Sequence, residues 1–405
     1  MNNQLLHTPE GVRDIYAEEC AKKMTVQSEI QKIFHLYGYQ NIETPVFEFF
    51  DIFNKERGSV VSREMYKFFD RDNNTLVLRP DITPSIARCV AKYFMDEKKP
   101  VRLCYLGPTF INTTSYQGRL KQTTQTGVEL IGDDTSDADG EMIALVIDSL
   151  KAAGLKEFQV ELGQVEFYRG LVEEAGMDEE MQNQLRILIE NKNYFGVEEL
   201  LSDAQISDDL KKLFLKLPEL FGDIEQIRLA KTMTSNPRAL AAVERLERVQ
   251  EIVDAYGLGE YVSYDLGMLS KYSYYTGIIF KAYTYGTGEY IVTGGRYDKL
   301  LEQFGKKAPS IGFAIEVDQL MLALSRQKID TPADMVDTII LYDHDARLAG
   351  IRLAGEYRNN RKAVQLIRKR SFETVDEYLD YAKKYQIRKL LYLSGDGSQL
   401  KEYEI

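Results

Sequence analysis

Cysteine is scarce in this sequence, and its scarcity limits the kinds of site that the chain can build. The 405 residues include three cysteines, Cys20, Cys89 and Cys104. An odd number of widely spaced cysteines argues against a disulfide framework and indicates a reducing compartment. Neither a CxxC pair nor an HExxH motif occurs, so we expect no metal site. These absences predict a cytoplasmic protein.

Long hydrophobic runs and an excess of positive charge are also missing. No run of about 18 apolar residues exists, which is the length that a membrane-spanning helix requires. The N-terminus, MNNQLLHTPEGVRDIY, has neither the basic start nor the apolar core of a secretory signal. The net charge is -12, so no overall field attracts nucleic acid, although an acidic protein can still carry a local basic face. We expect no membrane partner.

Several common catalytic motifs are absent as well. The sequence contains neither GxxxxGK[ST] nor GxGxxG, which are two frequent phosphate cradles, and it contains no GxSxG turn. A Ser-His-Asp or Cys-His site would have to use His7, His35 or His344, and these lie in unrelated segments. We expect no catalytic residue of these classes and no cofactor.

What the sequence does contain is a series of strand patterns interrupted by helices. Period-two alternation marks VRLCYLGPTF, FQVELGQ and EYIVTGGRYD, whereas the middle of the chain shows helical spacing. We predict an α+β domain at residues 1–325, built on an antiparallel sheet with a helical insertion at about 165–255. A polar linker at 326–336 and a small α/β domain at 337–405 follow.

The C-terminal part carries two further signals. Thr374 and Glu377 have the spacing of a capping box at a helix start. The segment RNNRKAVQLIRKR, residues 358–370, concentrates positive charge. The simpler interpretation is a solvated helix end and strand flank, and the alternative is a docking surface for an acidic partner.

Four short segments combine turn glycines, strand signals and polar side chains. Alternation along a strand places Gln125, Gly127 and Glu129 on one face, so that the amide and the carboxylate point into one pocket across a glycine that leaves space. Taken alone, Glu129 could equally be a surface charge of the sheet. Together, the segments predict a small polar ligand with an ammonium or imidazole N–H group. They are LRPDIT (78–83), QGRLKQTTQTGVE (117–129), YSYYTG (272–277) and TGGRYDKL (293–300).

These segments, in this order, resemble the catalytic domain of class II histidyl-tRNA synthetases. TPEGVRD resembles the N-terminal entry of that domain, and TPVFEFFD resembles its first motif. GPTF and the hairpin that follows it resemble the second motif, and SIGFAIEVDQL resembles the third motif. The resemblance covers residues 8–324. It implies a six-stranded antiparallel class II sheet with flanking helices, and a self-dimer formed through the region around TPVFEF.

The sequence departs from this family where the synthetases bind ATP. Three positions that hold arginine in the synthetases hold another residue here. They are Ile111 in the second motif, Ser270 in the segment before YYTG, and Gln319 in the third motif. Glu316 stands where the third motif has glycine. Each lost charge-assisted bond to phosphate is worth about 1.5–3 kcal/mol, and adenylate formation needs these charges in its transition state. We expect no amino-acid activation.

The amino-acid half of the synthetase site is retained, and the resemblance implies a role for each residue of this half. The α-ammonium is assigned to Asp81, Thr83 and Gln125, and the imidazole nitrogens to Glu129 and Tyr275; Tyr274 and Tyr297 form walls, and Arg119 faces the carboxylate.

A histidine pocket without an ATP pocket resembles the regulatory subunit of the short-form, hetero-oligomeric ATP phosphoribosyltransferase. That family implies a non-catalytic chain that assembles with a separate catalytic subunit in a hetero-octamer, at the first step of histidine biosynthesis, and conveys feedback inhibition by L-histidine. The short C-terminal domain argues against tRNA recognition. The alternatives are an active or degenerate histidyl-tRNA synthetase and a paralogue that contacts tRNA or another enzyme through residues 358–370.

Overall fold

The structure is a computed structural model that describes residues 6–53, 60–113, 120–202, 204, 206–269, 275–333 and 335–405. The chain divides into two compact units. The larger is built on Val26–Thr331, and the smaller on Pro332–Ile405 together with Ile15–Thr25.

Twelve strands and ten helices are described before Thr331. The strands are β1 (Gln40–Asn41), β2 (Phe47–Phe49), β3 (Lys67–Phe69), β4 (Thr75–Leu78), β5 (Val101–Phe110), β6 (Gln122–Ile131), β7 (Phe158–Gln164), β8 (Phe221–Gly222), β9 (Val262–Asp265), β10 (Ile278–Thr284), β11 (Val292–Arg296) and β12 (Ser310–Glu316). The helices are α1 (Ala17–Leu36), α2 (Thr83–Tyr93), α3 (Ser136–Ala152), α4 (Val165–Glu174), α5 (Glu179–Glu190), α6 (Tyr194–Ser202), α7 (Asp208–Lys216), α8 (Ile224–Thr232), α9 (Pro237–Ala255) and α10 (Val317–Arg326).

The main sheet has the strand order β1-β5-β6-β12-β11-β10-β7-β9-β8. Its six central strands, from β5 to β7, pair antiparallel with one another. Parallel pairs, β1 with β5 and β7 with β9, extend it on both sides. The predicted fold class, an antiparallel sheet of class II type with flanking helices, is confirmed.

The core forms where helices α1 and α3 cover one face of this sheet. In α1 the buried residues Val26, Ile30 and Phe34 recur at helical spacing, and the Phe34 ring meets Phe313 of β12 edge-on at 5.8 Å. Helix α3 begins where the Thr135 hydroxyl accepts a hydrogen bond from the Ala138 amide at 3.3 Å.

Between β7 and β9 the chain forms helices α4 to α9. Three of them begin at Asp178, Ser207 and Asn236, whose side chains accept hydrogen bonds from first-turn amides. Helix α5 turns an apolar stripe to the core, with Leu185 and Ile189 fully buried. Helix α9 closes the region by packing against α3 and α4.

The smaller unit contains a sheet with order β14-β13-β15-β16. Its elements are β13 (Thr338–Tyr342), α11 (Arg347–Asn359), β14 (Val364–Arg368), α12 (Val375–Lys384), β15 (Lys389–Ser394) and β16 (Gln399–Glu404). Strand β13 pairs parallel with β14 and β15, the arrangement of βαβ units. The predicted capping box opens α12: the Thr374 amide donates to Glu377 at 2.7 Å and the Glu377 amide to Thr374 at 3.4 Å.

The basic segment 358–370 covers the end of α11 and all of β14. Arg358, Arg361, Lys362, Arg368 and Arg370 are exposed, as expected for a solvated helix end and strand flank. Across the part of the chain that the structure describes, no helix combines the length and apolarity that crossing a membrane requires.

Candidate ligand-binding site

A cavity of about 120 Å³ lies against β6, β11 and β12 and the start of α2. An engineered cavity of about 150 Å³ in another protein takes up benzene, so this volume suits a small molecule. Six of the eight predicted ligand residues line it: Asp81, Thr83, Gln125, Glu129, Tyr275 and Tyr297. The other two, Arg119 and Tyr274, lie outside the described residues.

The sheet register explains how distant segments meet at this cavity. Gln125 and Glu129 are four residues apart on β6 and therefore share a face. Antiparallel pairing sets Glu316 of β12 opposite Gln125, and Gly312 opposite Glu129. Next to them, Asp81 accepts a hydrogen bond from the Thr83 amide at 3.1 Å, at the N-terminus of α2.

Glu129 is the most deeply buried carboxylate of the cavity, with 1% of its surface exposed. The Thr83 hydroxyl donates to one of its oxygens at 2.6 Å, and the Tyr297 hydroxyl donates to the other. Burial raises the pKa of Glu129 to about 8, and the charge of Asp81 adds to this increase, while the two hydroxyl donors oppose it. A ligand N–H group would find a hydrogen-bond acceptor here that water cannot easily reach.

Two glycines shape the space around Glu129 in different ways. A Cβ atom at Gly312 would overlap the Glu129 carboxylate, so that glycine makes room for the carboxylate. A Cβ at Gly127 would overlap the Phe313 carbonyl and lie 2.6 Å from the Tyr105 hydroxyl. The expectation that Gly127 leaves space for a ligand is therefore wrong, because the buried ring of Tyr105 occupies that space.

Gln125 and Glu316 form a direct pair at the other end of the cavity. The Gln125 amide nitrogen donates to Glu316 at 2.6 Å. The Gln125 amide oxygen is buried and has no hydrogen-bond partner among the described residues. Burial raises the pKa of Glu316 to about 7, the charges of Asp318 and Asp81 add to this increase, and the hydrogen bond from Gln125 opposes it. An unsatisfied buried oxygen beside a carboxylate is suited to an ammonium group.

Two of the three positions where the resemblance implies a lost arginine, Ile111 and Gln319, fall among the described residues. Ile111 lines the cavity, Gln319 lies partly buried on α10, and Ser270 lies outside the described residues. No lysine or arginine occurs among the described lining residues. The nearby Arg79 is buried and donates to the carbonyls of Thr44 at 2.8 Å and Pro108 at 2.9 Å, so it supports the fold.

Tyr297 is anchored by a buried ionic cluster beside it. Arg296, 4% exposed, donates to Asp139 of α3 at 2.6 Å, and Arg245 of α9 donates to the other Asp139 oxygen at 2.6 Å. The Tyr297 amide also donates to the Ser310 carbonyl at 2.8 Å. The resemblance implied that Tyr297 only forms a wall of the pocket. In the structure the Tyr297 hydroxyl also donates a hydrogen bond to Glu129.

Sequence reasoning missed several residues of the cavity. Val60, Tyr290 and Thr293 line it, and Tyr105 packs beneath it. Thr293 opens the segment TGGRYDKL and was recognisable there. Tyr290 belongs to the recognised strand pattern EYIVTGGRYD but was not assigned to the site, and Val60 lies in no recognised segment, so only the folded chain brings them to the cavity.

The raised pKa of Glu129 predicts a pH-dependent contribution to stability. The folded protein retains a proton that the unfolded chain loses above the usual pKa of 4.5. The stabilising contribution is therefore fully present below about pH 4.5, decreases as the pH rises, and is lost above about pH 8. We expect Glu129→Gln to remove this dependence, measured as the wild-type minus variant free energy of unfolding in urea at several pH values. A difference that does not change with pH would contradict the assignment.

Comparisons with known proteins extend these observations. The family model described as histidyl-tRNA synthetase matches residues 11–320. The chain is 42% identical over 374 residues to an ATP phosphoribosyltransferase regulatory subunit of Acetivibrio thermocellus, covering 92% of this chain and 90% of that protein. A protein of the same name from Ruminiclostridium cellulolyticum is 39% identical over 409 residues, covering 100% of this chain and 96% of that protein.

Solved structures agree with these matches. A crystal structure of an ATP phosphoribosyltransferase regulatory subunit/histidyl-tRNA synthetase from Bacillus halodurans C superposes with a TM-score of 0.85 at 33% identity, covering 96% of this chain and 98% of that one. Histidyl-tRNA synthetase from Nostoc sp. PCC 7120 superposes with a TM-score of 0.81 at 18% identity, covering 98% and 96%, which is a likeness of fold alone.

Proposed function

The chain belongs to the family of ATP phosphoribosyltransferase regulatory subunits, and we propose that it is a non-catalytic chain that senses L-histidine for a separate catalytic subunit. The observation that carries this proposal is the buried Glu129, bonded to Thr83 and Tyr297 in a cavity that keeps ammonium acceptors and has no described cation. The cavity therefore suits the amino acid and not the nucleotide.

The groups of histidine can be assigned to the cavity residues one by one. Glu129 accepts an imidazole N–H, and Tyr275 lies beside it as a second partner for the ring. At the other end the ammonium meets Asp81 and the unsatisfied oxygen of Gln125. The carboxylate is assigned to Arg119, by the resemblance to synthetases alone.

The same cavity is unsuited to ATP. Ile111 offers a phosphate no hydrogen bond, and the Glu316 carboxylate would repel it. Electrostatic stabilisation of the transferring phosphoryl group is the main means of catalysis in adenylate formation. We infer that the chain performs no aminoacylation and that tRNA is not its partner.

Feedback requires that histidine bind differently to two states of the complex. A ligand with equal affinity for both shifts nothing, whatever its affinity. By linkage, the state that binds histidine better is populated when histidine is abundant, and it is the less active one. The proposed complex is a hetero-octamer with the short-form catalytic subunit.

Reconstitution tests the proposal directly. The purified chain is mixed with a short-form catalytic subunit, and the reaction of ATP with phosphoribosyl pyrophosphate is followed with and without L-histidine. We expect the chain to raise the rate and histidine to lower it again. No change from either addition would overturn the proposal, and histidine-dependent pyrophosphate exchange by the chain alone would favour the synthetase alternative.

The proposed self-dimer has a candidate face in the sheet of β2, β4 and β3. The register places Phe47, Phe49 and Phe68 on the same side of this sheet, away from the buried Glu48 and Val77. These rings are 53%, 55% and 37% exposed, and Phe47 meets Phe68 edge-on at 5.8 Å. Exposed aromatic residues grouped in this way are typical of an interface.

A charge on this face is expected to separate the dimer. Phe49→Glu would place a carboxylate in an apolar contact, and burial without a partner is costly. We expect light scattering to report a monomer for this variant and a dimer for the wild type. Phe195→Glu is the matched control, because Phe195 is 84% exposed on α6 in the helical insertion. Equal masses for all three proteins would place the interface elsewhere.

A further inference from the structure

Glu316 lines the ligand cavity and contacts another lining residue, Gln125. It is the last residue of β12 and lies opposite Gln125 in the sheet register. Its carboxylate accepts a hydrogen bond from the Gln125 amide nitrogen at 2.6 Å. The synthetases that the sequence resembles have glycine at this position. Glu316 therefore contributes both a charge and a hydrogen bond to Gln125 at the cavity.

The pair decides which end of the Gln125 amide faces the ligand. An ionised carboxylate can accept hydrogen bonds but cannot donate them. The amide must therefore turn its NH₂ group toward the ionised Glu316. The amide oxygen is then left for the cavity, where it is buried without a partner among the described residues. With glycine at position 316, either end of the amide could turn toward a ligand.

The lining is consequently rich in acceptors. Asp81, Glu129 and Glu316 are its ionisable acids, Gln125 adds an oxygen, and the described part of the lining contains neither lysine nor arginine. The hydroxyls of Thr83 and Tyr297 already donate to Glu129. Groups that donate hydrogen bonds or carry positive charge are favoured, and a ligand carboxylate near Glu316 meets a like charge.

We propose that Glu316 is a specificity-determining residue that orients the Gln125 amide and, with its own charge, strengthens recognition of the ligand's amino and imidazole groups relative to its α-carboxylate. This inference rests on the proposed function, because it concerns the same cavity. It assigns the recognised chemical class as small imidazole amines, with or without an α-carboxylate.

The test compares two probes that differ in the carboxylate, L-histidine and histamine. Both are titrated calorimetrically into the wild type, Glu316→Gly and Glu316→Gln, at a fixed pH above the raised pKa of Glu316. We expect both probes to bind the wild type, and the ratio of their dissociation constants is the reference for the variants. In Glu316→Gly the ratio of the two dissociation constants should shift toward L-histidine by about tenfold or more, which is about 1.4 kcal/mol.

Two further variants separate selectivity from folding. Glu316→Gln keeps the size and an oxygen that accepts from Gln125 but removes the charge, so we expect a smaller shift of the ratio in the same direction. If Glu316→Gly does not fold, the ratio measured for Glu316→Gln still tests the role of Glu316. Glu302→Gln is the control, since Glu302 is exposed and outside the cavity, and its ratio should equal that of the wild type.

The outcomes distinguish this inference from the proposed function. A ratio that is the same in all variants overturns the role of Glu316 and leaves the histidine sensor intact. Binding of neither probe to the wild type, with or without the catalytic subunit, overturns both.

Discussion

Replacing Glu129 by alanine is expected to weaken L-histidine binding about 10- to 150-fold above about pH 8, where Glu129 is ionised. The carboxylate is the buried acceptor for the imidazole N–H, and hydrogen bonds to charged groups are worth about 1.5–3 kcal/mol. The variant also leaves the Thr83 and Tyr297 hydroxyls without their acceptor. Calorimetric titration with and without the catalytic subunit measures the loss.

Two controls define what the loss means. Glu129→Gln keeps the volume, and its carbonyl can still accept one hydrogen bond, so we expect a smaller loss than with alanine. Glu157→Ala removes an exposed carboxylate outside the cavity and should bind as the wild type does. Unaltered binding in Glu129→Ala would place the histidine site elsewhere, such as at the interface with the catalytic subunit.

Replacing Asp139 by alanine is expected to destabilise the larger unit by about 3–5 kcal/mol, the usual cost of leaving a buried charge without its partner. Asp139 is fully buried and bonds two arginines, Arg296 and Arg245, each at 2.6 Å. Arg296, itself 4% exposed, keeps a hydrogen bond to the neutral Asp133 carbonyl at 2.9 Å and the more distant carboxylate of Asp298 at 3.3 Å. Urea unfolding of the variant and the wild type measures the difference.

The matched control lies two residues away on the same helix. Asp137 is exposed in the first turn of α3, where a carboxylate contributes about 0.3–1 kcal/mol through the helix dipole. Asp137→Ala should therefore cost less than about 1 kcal/mol. Equal effects of the two substitutions would show that the buried cluster does not stabilise the unit. Since Arg296 adjoins Tyr297, we also expect weaker histidine binding in Asp139→Ala alone.

The predictable part of the site followed from local geometry. Period-two alternation alone placed Gln125 and Glu129 on one face of β6, and the order of the motifs indicated which other segments join them. The same reasoning failed at Gly127, where strand alternation indicates an absent side chain but not which neighbour fills the space. Tyr105 lies 22 positions earlier in the sequence and reaches that space only through the pairing of β5 with β6.

Glu316 shows a second kind of failure. Its replacement of glycine was visible, and its repulsion of phosphate followed from charge alone. Its hydrogen bond to Gln125 was not predictable, because the two residues are 191 positions apart and meet through the register of β6 and β12. A shift of one residue in that register would turn the carboxylate to the opposite face of the sheet.

The sequence by itself determined the fold class and the side-chain chemistry available for a ligand, because alternation, turn residues and the motifs that carry the family resemblance are local properties of the chain. The tertiary structure decided which of those side chains share a cavity and which neighbours they use. Burial set the raised pKa of Glu129, strand register turned the Gln125 oxygen toward the cavity, and the contact between α3 and β11 held Tyr297 in place. These effects depend on distances between residues far apart in the chain, and such distances exist only once the chain is folded.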